Sequence, residues 1–286
     1  MAAHLLALVP ITFAAATVNG ALGYGFSSIT VPLALLFLSN RALNPALVLI
    51  EVALNAYVLW MNRAALADVW RRALPLVIGL VPGVAIGTIV LAQVSPGWMK
   101  LLTYCALLPL ILVQAAGYRR PIRAERSAGL LFGGGVGVLY SITTISGPPL
   151  VVALNNQGFS KHEFRAALGF VRLAESTITA IAYASAGLFT REAVGLIPPM
   201  LPSLLIGVPL GVALIRRVRA EAFRRVCMSF DACIVSFGTS TLLRELRLIE
   251  GGAAFLVMAA VVLVDAWLLY RFFSAGVPQR AVTYAA

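Results

Sequence analysis

The stretch Leu139–Pro149, "LYSITTISGPP", lies inside a long apolar run, and how it is read decides the fold. Ser141, Thr143, Thr144, Ser146, Pro148 and Pro149 are poor material for a helix surrounded by lipid. Broken backbone in hydrocarbon is tolerated only where protein or water supplies partners for the freed N–H and C=O groups. Such a run in a membrane segment therefore marks an interior place or a cavity, not a lipid-facing surface.

The surroundings are those of a membrane protein. Of the 286 residues, 60% are hydrophobic and 12% charged, and mean hydropathy is +0.93. A soluble domain cannot bury that much apolar surface. Apolar segments run roughly over 5–38, 43–62, 73–94, 98–117, 127–157, 162–187, 192–215, 222–243 and 252–273, with no stretch polar enough for a separate soluble module. We read one membrane domain over 1–286. The net charge of +11 comes from arginines in the short links, a positive-inside pattern and not a nucleic-acid face. The first twenty residues are apolar, but no Lys or Arg precedes them, so they read as retained and not as a cleaved signal peptide. Cys105, Cys227 and Cys233 have no metal or redox spacing, and His4 and His162 stand apart at segment edges. No nucleotide-binding loop, catalytic triad or metal-ligand cluster is present, so neither a cofactor nor an enzyme is expected.

"LYSITTISGPP" has an echo. A shift of 117 places Gly20 on Gly137, Ser27 on Thr144 and Pro32 on Pro149; after a longer loop, a shift of 124 places Glu51 on Glu175, Pro75 on Pro199, and Gly83 and Gly87 on Gly207 and Gly211. Two halves, about 5–118 and 127–244, each hold one long broken segment followed by three ordinary spans. The segment at about 252–273 stands outside the repeat.

The basic residues choose between two topologies. If both broken segments cross the membrane, positive charge is shared almost evenly between the faces. If both are re-entrant hairpins, one face keeps only Arg41, Lys100, Arg191, Arg244 and Arg247 while the other collects sixteen, among them Arg63, Arg71, Arg72, Arg165, Arg217 and Arg271. Positive-inside asymmetry favours the hairpins. The expected fold is an all-α polytopic membrane protein of seven full spans and two hairpins, with the N-terminus outside and the C-terminus cytoplasmic. Three spans per repeat invert the second half relative to the first, an alternating-access arrangement. The competing reading keeps segments one and five as complete, kinked spans.

At the breaks, small and hydroxylated residues gather: Asn19, Gly20, Gly23, Tyr24, Gly25, Ser27, Ser28 and Thr30 before Pro32, and Ser141, Thr143, Thr144, Ser146 and Gly147 before Pro148 and Pro149. Proline suits the first turn of a helix, so each copy reads as a loop followed by a helix start. Facing helix N-termini with hydroxyls around them can hold a small oxyanion; close helix packing is the plainer reading for any single Gly or Ser. Ionisable residues within spans are functional candidates by default. Arg172 and Glu175 lie three residues apart and can pair on one helix face; Arg172 is a candidate anion contact. Glu51 has no arginine in its own helix, and with Glu175 is a candidate for proton coupling. Asp231 and Asp265 read as inter-helix anchors.

"NGALGYGFSSITVP" and "GGGVGVLYSITTISGPPLV" together resemble the duplicated signature of the TauE/SafE family, the bacterial sulfite exporter and organosulfonate permease group. The resemblance implies a secondary transporter of the bacterial inner membrane that exports small sulfur-containing anions such as sulfite or sulfoacetate. Tyr24 and Phe26 interrupt a run that is nearly all glycine in many relatives, and "SITTISGPP" is richer in hydroxyls, departures that bear on the substrate. Expected partners are a small anionic substrate and the bilayer, with no nucleic acid; the oligomeric state is open, a homodimer among the options. A passive anion channel, a permease for another small organic anion and a membrane scaffold are the competing functions.

Overall fold

A computed structural model describes residues 2–22, 25–115, 126–155, 161–215, 217 and 220–274. All regular structure among the described residues is helical. The first apolar segment is split into α1 (Ala2–Leu22) and α2 (Phe26–Ala34). Three long helices follow: α3 (Asn40–Met61), α4 (Leu66–Gln93) and α5 (Pro96–Ala115). The second broken segment is α6 (Arg126–Thr143) and α7 (Gly147–Asn155). After it come α8 (Lys161–Ser185), the short α9 (Arg191–Gly195) leading into α10 (Ile197–Leu214), α11 (Ala220–Glu245) and α12 (Phe255–Ser274). Side chains mark some of the starts: Ser39 caps α3 through Ala42 N, and Thr190 caps α9 through Ala193 N.

Six helices among the described residues are long and apolar enough to cross a membrane, those containing α3, α4, α5, α10, α11 and α12. At 25 residues α8 has the length, but Arg172 and Glu175 with Ser176, Thr177 and Thr179 make its inner stretch too polar to count by composition. The nine residues of α2 and of α7 give each a length of about 13 Å, half a bilayer's hydrocarbon depth.

The breaks differ in construction from what the prolines suggested. Pro148 and Pro149 do open α7, as its second and third residues. Pro32 does not open α2: it is the seventh of nine residues, and the helix begins at Phe26, after Gly25 at φ 107°. Glycine alone enters that left-handed region without a steric penalty, so Gly25, and not Pro32, makes the first break. The second break passes through Thr144 at φ 55°. A β-branched residue there stores local strain of about 1–3 kcal/mol, which persists only where the surroundings enforce it.

Glycines set the long-range packing. On α4, Gly79 lies against Leu130 and Gly133 of α6, Gly83 against Gly134, and Gly87 against Val138 and Ser141; on α1 and α10, Gly207 meets Phe13 and Ala16, Gly20 meets Val208, and Gly211 meets Thr17 and Ala21. A Cβ at Gly83 or Gly211 would overlap backbone oxygen, so these contacts require glycine. Apolar side chains gain little by leaving lipid for one another, and small residues that bring backbones close supply the contact instead. The two interfaces match under the sequence shifts: Gly83–Gly134 corresponds to Gly207–Thr17, and Gly137 against Val84 to Gly20 against Val208. In both, residue numbers rise together along the two helices, so α1 runs parallel to α10 and α6 parallel to α4. The first helix of each half thus packs on the second of the long helices that follow the break in the other half. Between these pairs α3 lies against α8, and α2 is buried through Phe26, Ile29, Val31 and Ala34.

Candidate functional site

The helix break at Thr143–Gly147 is closed by side chains of two neighbouring helices, α3 and α8. A helix leaves its last four carbonyls without internal partners, and for α6 all four are accounted for. Tyr140 O accepts from Thr144 N at 2.6 Å; Ser141 O accepts from the Tyr183 hydroxyl of α8; Ile142 O accepts from Asn44 Nδ2 of α3 at 2.6 Å, with Asn40 Nδ2 at 3.5 Å; Thr143 O accepts from Thr144 Oγ1 at 2.7 Å. Asn40 also donates to Thr103 Oγ1 of α5 at 2.9 Å. On the far side Thr143 Oγ1 accepts from Ile145 N at 3.0 Å, and the first bond of α7 is Leu150 N to Ser146 O at 3.1 Å. Because Pro148 and Pro149 carry no N–H, Gly147 holds the one backbone donor among the first three residues of α7. The first break keeps more: Phe26, Ser27 and Ser28 precede the first helical bond of α2, from Ile29 N to Gly25 O at 3.3 Å. Its α2 is further held by Tyr104 of α5, whose hydroxyl donates to Pro32 O at 2.9 Å.

Both breaks deliver a serine to a buried carboxylate. Ser27 Oγ donates to Glu51 Oε1 at 2.6 Å, and Ser146 Oγ donates to Glu175 Oε2. Tyr140 of α6 donates to Glu51 Oε2 at 2.7 Å. Arg172 Nη2 lies 3.3 Å from Glu51 Oε1. Nearby, Asn55 Nδ2 donates to Arg172 O at 3.3 Å and approaches Ser176 Oγ at 3.5 Å, which joins α3 to α8 alongside the ion pair. Glu51 is 1% exposed, Glu175 0% and Arg172 7%. Two atoms of this cluster, Arg172 Nε and Glu175 Oε1, have no hydrogen-bond partner among the described residues.

The ion pair corrects the sequence reading. Arg172 does not pair with Glu175, one turn along α8; it reaches across to Glu51 on α3. Glu51 is therefore not a lone carboxylate. The rotation of α3 against α8 turns both side chains into their shared interface, where two full charges can compensate in the low dielectric.

The remaining expected site residues divide. Ser27, Thr30, Ser141, Thr143, Thr144 and Ser146 are all buried, Ser28 is half-buried, and Thr30 Oγ1 has no partner among the described residues. Gly147 is buried at the start of α7, and Asn19 is buried near the end of α1. Gly20 is a packing residue, its Cα against Val208 of α10. The Ser141 side chain is also spent within the scaffold: its hydroxyl donates to Gly137 O at 2.6 Å and it packs against Gly87 of α4. Tyr24 lies outside the described residues. Sequence reasoning missed Tyr140, Asn44, Asn55 and Tyr183. A signal existed for the asparagines: Asn40, Asn44, Glu51 and Asn55 recur at spacings of four, seven and four, a polar stripe on one face of an otherwise apolar span. Of the aspartates, Asp265 ties α12 to Arg225 of α11 at 3.2 Å, whereas Asp231 is buried with no hydrogen bond to another described residue.

The sulfite exporter TauE/SafE family model matches residues 8–237, which include both breaks and Glu51, Arg172 and Glu175. The chain belongs to the TauE/SafE family. No curated protein and no solved structure matches it. Membership in this family of sulfite exporters, together with six membrane-length apolar helices, makes the chain a multi-pass membrane protein of the transporter class. The match ends at residue 237, within α11 and short of α12 and Asp265.

Proposed function

We propose that this TauE/SafE member is a secondary transporter that exports a small sulfur-containing oxyanion, sulfite or an organosulfonate such as sulfoacetate, by alternating access across a bacterial inner membrane. One observation carries the reading: the two helix breaks, more than a hundred residues apart in sequence, both end on a single buried cluster of Glu51, Arg172 and Glu175. A scaffold has no use for a strained break, an ion pair and hydroxyls in one dry place. In a carrier that place is where substrate binds, at the meeting point of two discontinuous helices.

The mechanism follows from those parts. Arg172 is the anion contact, and hydroxyls with the first N–H groups of α2 complete the shell around the oxygens. Residue numbers run oppositely along α3 and α8, with Leu59 against Gly169 and Glu51 against Arg172, and this antiparallel packing supports an inverted repeat in which one hairpin opens to each face. The basic links support an outside N-terminus and a cytoplasmic C-terminus. In the described arrangement Ser27 and Ser146 hold both tips against α3 and α8. Moving either hairpin away from its glutamate opens one side at a time.

Purified protein in proteoliposomes should carry radiolabelled sulfite or sulfoacetate, with saturation and counterflow. Absence of flux for both anions from folded protein defeats the proposal, and non-saturating flux without counterflow supports the channel instead.

A further inference from the structure

The Glu51–Arg172 pair sets a condition on anion binding that goes beyond the identity of the substrate. Arg172 is the one cation of the cluster, and Glu51 already occupies it through Nη2. The groups that act electrostatically on one another here are Glu51, Glu175, Tyr140 and Arg172. On α3 itself Arg41 binds the carbonyls of Leu91, Ala92 and Val94 at the end of α4, and on the elements around it Tyr104 of α5 spends its hydroxyl on Pro32 O while Arg191 and Glu192 of α9 are exposed. An anion that arrives at Arg172 therefore meets the Glu51 carboxylate in a nearly dry site, with no second cation among the described residues of the cluster to offset it. A proton on Glu51 removes that conflict.

The partners of Glu51 are suited to both protonation states. Ser27 and Tyr140 now donate to its two oxygens at 2.6 and 2.7 Å. A hydroxyl also accepts, so a protonated Glu51 can turn its own O–H toward either one and stay satisfied without the arginine. Release of Glu51 frees Nη2 on Arg172, whose Nε is already without a partner. The edge formed by Nε and Nη2 presents two parallel N–H donors, the geometry that grips two oxygens of one oxyanion.

Resting on the transport reading above, we propose that each anion is carried with one proton: the anion takes the place of Glu51 on the Nε–Nη2 edge of Arg172, and Glu51 takes up a proton from the same aqueous phase. Charge balances as one negative and one positive unit entering together, so the carried species is a monoanion, hydrogensulfite or a simple sulfonate, and transport is electroneutral. A dianion needs a second proton, for which Glu175, bonded only to the Ser146 hydroxyl and with Oε1 free among the described residues, is the acceptor. Export then follows an outward gradient of anion and proton together, and excess outside protons reverse it.

The test uses full-length protein in proteoliposomes with sulfite and with methanesulfonate, whose charge does not change with pH. Wild-type flux of either anion should carry no current on a solid-supported membrane, ignore a potassium–valinomycin potential, and move one proton per methanesulfonate. Wild-type flux that carries current, or that moves no proton, overturns the coupling and leaves the transport reading standing; no flux of any anion defeats both. Glu51→Gln locates the proton site: its remaining flux should become electrogenic. Where flux is too low to measure, binding of methanesulfonate by thermal shift should tighten as pH falls in wild type and be independent of pH in the variant. A pH-dependent Glu51→Gln overturns the assignment.

Discussion

Replacing Arg172 with glutamine tests the central ion pair in a way that separates stability from transport. At 3.3 Å, the attraction between two unit charges is about 5 kcal/mol at an effective dielectric of 20. Desolvation of both partners offsets much of that, so the pair itself is worth little, but removing one partner leaves a carboxylate 1% exposed without its cation. The expected loss is about 3–5 kcal/mol at neutral pH, less whatever Glu51 recovers by binding a proton. Arg172→Gln/Glu51→Gln removes both charges and should regain most of that stability, because Ser27 and Tyr140 can still bond the amide. Neither variant should carry anions like wild type. Scanning fluorimetry of the detergent-purified protein reads both, with Arg271→Gln, a change at an exposed end of α12, as control. If Arg172→Gln lowers Tm no more than the control, or if the double variant is no more stable than the single, the buried-pair argument is wrong.

Other consequences concern the scaffold. Gly83→Leu puts a side chain where Gly134 O lies and should cost more than the about 1–3 kcal/mol typical of overpacking, read as reduced monodispersity and Tm; Gly252→Leu, with open space around it, should have little effect. Asn44→Leu removes the 2.6 Å donor to Ile142 O and should cost about 1–3 kcal/mol for an orphaned carbonyl, with faster hydrogen exchange across residues 140–147 as its local signature. Asp265→Ala strands Arg225, whose Nε and Nη1 already have no partner, at a cost of about 3–5 kcal/mol, whereas Arg225→Leu/Asp265→Leu should be close to neutral in Tm.

Much of the architecture was legible because it is local. Glycine and proline act on their own backbone, so "GYGFSS" and "SITTISGPP" announced breaks in apolar runs wherever the rest of the chain went. The paired glycines at 83, 87, 207 and 211 were visible as a repeat, and became interfaces once each half's first helix lay on the second long helix after the other half's break. Where the local rule was ambiguous the reading slipped: Pro32 fits a first turn, but the free left-handed conformation of Gly25 set the start six residues earlier than Pro32.

By itself, then, the sequence determined that this chain lives in a membrane, where its helices are interrupted, and which few charged residues lie within the spans. Only the tertiary structure decided who meets whom. Arg172 and Glu175 satisfy a pairing rule on one helix, and nothing in their spacing points to Glu51, 121 residues away. That choice depends on how α3 and α8 are rotated about their axes, on which side chains α6 turns inward, and on where the Ser27 and Ser146 tips arrive. Those are set by summed packing over several helices. The interior of a bilayer then enforces the outcome, because each buried charge and each carbonyl freed at a break must find its partner within the protein.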